Sequence, residues 1–331
     1  MQNNRRRGSP RAHLTLGAVL ALGAGLVLAG CSYRFRTPAQ YREMALIAAI
    51  PELAGSDAWK SPTHGEQDVG SGAFPGGRTV SLSAYRIARY ETTYGLWYEV
   101  KTWAASHGYT FANAGRAGQD GAEGKAPAGD ASRPVTTISW WDAVVWCNAY
   151  SELSGKTPFY TVNGAPLKNA ASPSAPDAPA PGRNGFRLPT EAEWEAAARG
   201  GDPVGRPADW ACVYAGSGTV DEVAWYRQNS KGGVSPVGTV PDTDGEGPLP
   251  ANGAGLYDMS GNVLEWCYDC FGPIRGGGTE KDPAGPASGP LRVRRGGSWG
   301  GSAASCENAS RGGSPPSSKN FLTGFRVAYA P

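Results

Sequence analysis

Apolar and polar residues alternate over Thr79-Val-Ser-Leu-Ser-Ala-Tyr-Arg-Ile87, the two-residue period of extended chain, which predicts strands there. The period then becomes helical. Leu96, Trp97, Val100 and Trp103 share one face, Thr92 or Thr93 stands where an N-cap belongs, and Gly108 supplies a stop. A second helix is predicted by Ser139 with Asp142 three residues on, followed by Val144, Val145, Trp146, Ala149 and Leu153 up to Gly155. A third starts at Thr190 with Glu193, a capping box, and ends at Gly200-Gly201. Between these lie a Gly-rich loop over roughly 112–133 and an Ala/Pro/Ser excursion over 170–182, expected as an exposed loop. From 202 onward Gly, Pro and aromatics dominate, a pattern of short strands and long ordered loops.

Composition supports a loop-rich α+β domain. The 331 residues include 48 Gly and 27 Pro, with only 18% charged, yet 11 Trp and 14 Tyr supply ample burial. Trp97, Trp103, Trp140, Trp141 and Trp146 therefore read as core. The first 30 residues stand apart: Arg5, Arg6, Arg7 and Arg11 precede an apolar run over Leu14–Leu28. Leu28-Ala29-Gly30-Cys31 then has the form of a lipobox, so Cys31 is expected to carry lipid and to hold the chain on a bacterial membrane, on its periplasmic or cell-surface side. Residues 31–73 are expected as a tether and 74–331 as the domain. Taking the four leader arginines from 31 basic residues leaves 27 against 29 acids, close to neutral, which gives no electrostatic case for nucleic acid.

Besides Cys31 there are Cys147, Cys212, Cys267, Cys270 and Cys306, an odd number that leaves at least one free thiol. Cys267-Tyr-Asp-Cys270 has CxxC spacing, but zinc needs further ligands, and His64 and His107 are far away in sequence. A local disulfide or two buried thiols are the readings left. The stretch Asp258-Met-Ser-Gly-Asn-Val-Leu-Glu265 places two carboxylates around a turn at Gly261. They could hold Ca²⁺ together with main-chain carbonyls, or simply accept hydrogen bonds from the turn's amides.

Four motifs occur in order: Gly185-Phe-Arg-Leu-Pro-Thr-Glu-Ala-Glu-Trp-Glu195, Gly255-Leu-Tyr-Asp-Met-Ser-Gly-Asn-Val-Leu-Glu-Trp266, Arg295-Gly-Gly-Ser-Trp299 and Gly324-Phe-Arg326. Together they resemble the formylglycine-generating enzyme family, the sulfatase-modifying factor domain, over about Phe74–Ala330. The resemblance implies a divergent C-type-lectin-like fold, with a few helices around small twisted sheets. It also implies a structural calcium on Asp258, the carbonyls of Gly261 and Val263, and Glu265.

Enzymes of that family oxidise a sulfatase cysteine with O₂ and Cu(I), a soft ion held by two thiolates. Counted from Gly296-Gly-Ser-Trp299, the first thiolate position is Gly301 and the second Cys306. Counted back from Gly324, an active-site arginine falls on Arg311 and the second cysteine position on Ala303. Either way the first cysteine is absent, so Cys306 is expected as a packed, unreactive side chain, and Cu(I) belongs only to the alternative of a true oxidase. The same fold serves as the variable receptor of diversity-generating retroelements, including Treponema variable-protein-type lipoproteins. The segment here is likewise rich in small residues. A monomeric, non-catalytic binder of an unidentified protein or glycan is therefore expected, its surface made by Trp299, Gly300, Gly301, Ser302, Ser305, Asn308, Ser310, Gly312, Gly313, Ser314, Ser317, Ser318, Asn320 and Phe321.

Overall fold

Three side-chain caps set the helical frame. Thr93 Oγ1 accepts from the Leu96 amide and starts α1 (Tyr94–Ala105). Ser139 and Asp142 form a reciprocal capping box at the head of α2 (Trp140–Leu153), and Thr190 with Glu193 does the same for α3 (Glu191–Ala198). Gly155, Gly200 and Gly201 sit at positive φ just past the helix ends, where a side chain would be strained. A short fourth helix, α4 (Pro207–Ala211), begins on its proline and has no sequence signal beyond it. The computed structural model describes residues 33–63, 70–177, 183–239, 251–274 and 277–331. The leader, the lipobox with Cys31, and His64 lie outside the described residues.

The predicted strand region resolves into Thr79–Leu82 and Tyr85–Ala88. Each joins a different sheet. Tyr85–Ala88 lies between Met44–Ile47 and Ala328–Tyr329, antiparallel to both, so strands from the two ends of the described residues flank one central strand. Thr79–Leu82 lies between Ile50–Ala54 and Thr279–Lys281. The expectation of a tether over 31–73 therefore needs correction. Ala45, Ile47 and Ile50 are core residues, and the domain already includes the described part of that stretch. Its partner strands lie some forty and thirty residues further on, a pairing that local composition does not reveal.

The four-stranded sheet carries the C-terminal motifs, in the order Arg311–Ser314, Arg292–Arg295, Leu264–Cys270, Thr323–Gly324. Its first two pairings are antiparallel and the last is parallel. Two apolar cores flank this frame. One gathers Trp97, Trp140, Trp146 and Phe325 around α1 and α2, with Trp103 and Trp141 half-buried at its margin. The other gathers Phe74, Trp194 and Trp210 around α3. The tryptophans expected in the core are thus packed, and the fold is α+β, loop-rich, with small sheets. Asp177 ties the excursion that follows α2 to the turn at Thr161–Gly164, and over 171–177 that loop is largely exposed, as expected.

Candidate functional site

Ser302 caps a 3₁₀ turn, Ala303–Cys306, that carries Cys306 inward. The thiol packs with Ala224 and Tyr226, and Gly297 stands so close that a Cβ there would lie 2.7 Å from the sulfur. Burial pushes the Cys306 thiol up to about 12, so it is protonated at neutral pH. At Gly301 a Cβ would meet the Ser305 hydroxyl, a contact that rotation of the Ser305 side chain would relieve. Cys147, Cys212, Cys267, Cys270 and Cys306 are all free thiols, and of the two CxxC readings the buried-thiol one describes Cys267 and Cys270.

Arg311, the arginine expected of an oxidase site, is buried and committed elsewhere. It makes a two-pronged ion pair with Glu191, Nε to Oε1 and Nη2 to Oε2 both at 2.6 Å, and donates to the Gly272 carbonyl. Burial would raise the Glu191 carboxyl, but Arg311 and then Arg295 hold it below the usual range. Arg295 adds a contact to Glu195 and donates to the carbonyls of Ser310 and Asn308. Arg199 completes the set on Glu195 at 2.9 Å. The segment between Arg295 and Gly324 is therefore pinned from below by a buried ionic network anchored on α3.

That pinning corrects the expected display surface. Asn308, Ser310 and Ser314 are buried, so their side chains cannot face a macromolecule. Asn308 donates instead to the Cys212 carbonyl. Gly312 and Gly313 are half-buried on the strand, with Gly313 against Phe271. What faces outward is one end of the segment. Ser302, Ser317 and Phe321 are exposed, and Trp299, Gly300, Gly301, Ser305, Ser318 and Asn320 are half-buried around them. The Trp299 and Phe321 rings lie 5.9 Å apart at a tilt of 31°, and Trp299 Nε1 donates to the Phe321 carbonyl. Arg227 donates to the carbonyl of Gly300 and Ser230 to that of Trp299, fixing this lip from the 226–239 loop. Arg227 and Ser230 carry no sequence signal, because their role depends on a loop brought alongside from some seventy residues away.

The calcium quartet is only partly presented for a cation. Asp258, at positive φ and buried, has one oxygen accepting from the Gly238 amide and the other without a partner. Burial pushes its carboxyl up to about 7. Glu265 is different: Arg326 Nε and Nη2 and Trp194 Nε1 occupy both its oxygens. The second carboxylate near Asp258 is Glu91, which sequence reasoning missed. It accepts from the Val263 amide and from Asn262 Nδ2, and burial, then Asp258, raise it well above the usual range. Among the described residues no three His, Cys, Asp or Glu side chains converge as a metal site, so a cation here would depend on main-chain carbonyls. Asp258 fits that role; Glu265, spent on Arg326, does not as it stands.

The frame and its buried arginines agree with what the chain resembles. Residues 37–331 match the sulfatase-modifying factor enzyme 1-like domain. The chain belongs to that family. It is 30% identical over 283 residues to the chaperone protein LppX of Paenibacillus barcinonensis, covering 77% of this chain and 86% of that one. It is 33% identical over 230 residues to the formylglycine-generating enzyme of Thermomonospora curvata, covering 64% of this chain and 62% of that protein. Among solved structures, Treponema denticola variable protein 1 is similar at 32% identity and a TM-score of 0.62, covering 87% of this chain and 95% of that one. CarF is similar at 26% identity and a TM-score of 0.64, covering 87% and 98%. The match from residue 37 agrees with the strands before residue 74 being part of the domain.

Proposed function

We propose that this sulfatase-modifying factor family member is a non-catalytic, lipid-anchored protein that binds a protein or glycan through the surface around Trp299 and Phe321. One observation carries the non-catalytic part: the first thiolate position is a glycine, which has no thiol, and the second, counted from Gly296, holds a buried, protonated thiol. A soft Cu(I) site needs two accessible thiolates, and these residues do not supply them. The ligand surface is supported by exposed Phe321 beside half-buried Trp299, on a lip whose carbonyls accept from the Arg227 and Ser230 side chains, an arrangement suited to a binding anchor. The anchor is supported by the basic and apolar leader ending in Leu28-Ala29-Gly30-Cys31. No helix among the described residues is long and apolar enough to cross a membrane.

Arrays of peptides and surface glycans probed with the full-length protein test the ligand surface. Trp299→Ala and Phe321→Ala should each weaken capture by about tenfold or more, as aromatic anchors do, with unchanged thermal melts; undiminished capture in both would remove the surface. The likeness to Treponema denticola variable protein 1 favours a diversified version of the same reading. Diversified positions would then be confined to the outward-facing residues, since Asn308, Ser310 and Ser314 are core. The gene decides this point, through the presence or absence of a near-identical template repeat and a neighbouring reverse transcriptase.

A calcium on Asp258 and the Gly261 and Val263 carbonyls is part of the proposal. Its support is the unpartnered Asp258 oxygen, together with three buried carboxylates, Glu91, Asp258 and Glu265, facing the single guanidinium of Arg326. A melt with excess Ca²⁺ against one with chelator should differ by about 2.7 kcal/mol at a hundredfold excess over Kd, and Asp258→Asn should abolish the difference. Identical melts would leave the carboxylates to be neutralised by protons instead.

A further inference from the structure

Away from the C-terminal lip, a groove of about 560 Å³ runs between the chain segment 33–41, the outer face of α1 and the loop 126–132. That volume lies within the range of roughly 300–1,000 Å³ that ligand sites occupy. Its walls are mainly apolar or amphipathic, with Tyr33, Pro38, Tyr41, Tyr98, Pro127 and Ala131 among them. The carboxylate in its wall, Glu99, is already satisfied. It accepts from the amides of Arg36 and Thr37 at 2.6 and 2.8 Å and from Thr37 Oγ1 at 2.6 Å. It therefore fixes the 33–37 segment rather than offering a free charge to a polar ligand.

Three features together select an occupant. Tyrosine, with an apolar body and a wet hydroxyl, is the side chain favoured where hydrocarbon meets water, and three of them stand here. Arg34 and Arg36 are exposed in the same segment, a positive lip suited to an anionic headgroup. Cys31 precedes Tyr33 by two residues, a reach of at most about 7 Å of extended chain. A membrane holding Cys31 is thus within chain reach of the groove.

We propose that the groove seats one acyl chain of an anionic phospholipid drawn from the membrane to which the protein is anchored. This rests on the lipid-anchor reading, and the two are separable by experiment. Full-length protein is reconstituted in vesicles of phosphatidylcholine and phosphatidylglycerol containing a phosphatidylglycerol with a photoreactive diazirine in its acyl chain. After irradiation, a digest is read by mass spectrometry. Label is expected on peptides covering 33–41, 95–102 and 126–132. Thr102 is exposed on the groove wall, so Thr102→Trp should fill the groove and lower that label by about tenfold, the affinity carried by roughly two buried methylenes. Thr102→Ala and a circular-dichroism melt control for folding. Label confined to other surfaces, label that persists in a folded Thr102→Trp variant, or displacement by a soluble peptide or glycan lacking an acyl chain overturns the proposal. The mass of the Cys31 peptide is read in the same digest. An unmodified Cys31 beside a labelled groove removes the anchor and keeps the groove, whereas an acylated Cys31 with an unlabelled groove does the reverse.

Discussion

At the scale of single residues, buried charge decides what this chain's motifs mean. Glu265 has the sequence position of a metal ligand, but Arg326, 61 residues later, takes its carboxylate and also donates to the carbonyls of Ala88 and Tyr257. The motif was legible from sequence; its ion pair was not, because nothing local couples Glu265 to Arg326. Asp269 is a comparable case. Its carboxylate accepts from the Glu191 amide, and burial followed by the neighbouring Glu191 charge pushes it up to about 8. A carboxyl raised in the folded state binds its proton there while the unfolded chain has released it. It thus favours folding below about pH 4, and that contribution is lost as pH rises from about 4 to about 8. Asp269→Asn keeps an acceptor oxygen and removes the titration. Melting temperatures between pH 4 and 8 should fall less steeply in the variant than in the parent; parallel curves would mean that Asp269 does not carry a raised pKa.

At the scale of elements, legibility follows locality. Helices α1, α2 and α3 announce themselves because a cap, an apolar face and a glycine stop all fall within fifteen or so residues. Thr190 Oγ1 accepts from the Glu193 amide while Glu193 returns to the Thr190 amide and pairs with Arg187. Thr190→Ala should therefore cost about 1 kcal/mol, within 0.5–2, measured by chemical denaturation. A larger loss would mean that the Glu193–Arg187 pair depends on the cap. The strands at 44–54 were not legible as part of the domain, because their hydrogen bonds run to Tyr85–Ala88 and Thr79–Leu82. The C-terminal segment was legible as a frame but not as a surface. Which of its small residues face out depends on Arg295 and Arg311 reaching Glu195 and Glu191 on α3.

At the scale of the whole molecule, the family's fold is kept, and the proposal is that its oxidation chemistry is not. Counted from Gly296, Gly301 and Cys306 fall where the resemblance puts a copper-binding thiol pair, the first without a thiol and the second a buried one. On the proposed reading, the outer part of the same segment offers Trp299 and Phe321 to a ligand. Oxygen uptake by the copper-loaded full-length protein with a Cys-x-Pro-x-Arg peptide tests this account most directly. It predicts uptake no greater than in a control without protein, whereas copper-dependent turnover abolished by Cys306→Ser would contradict it.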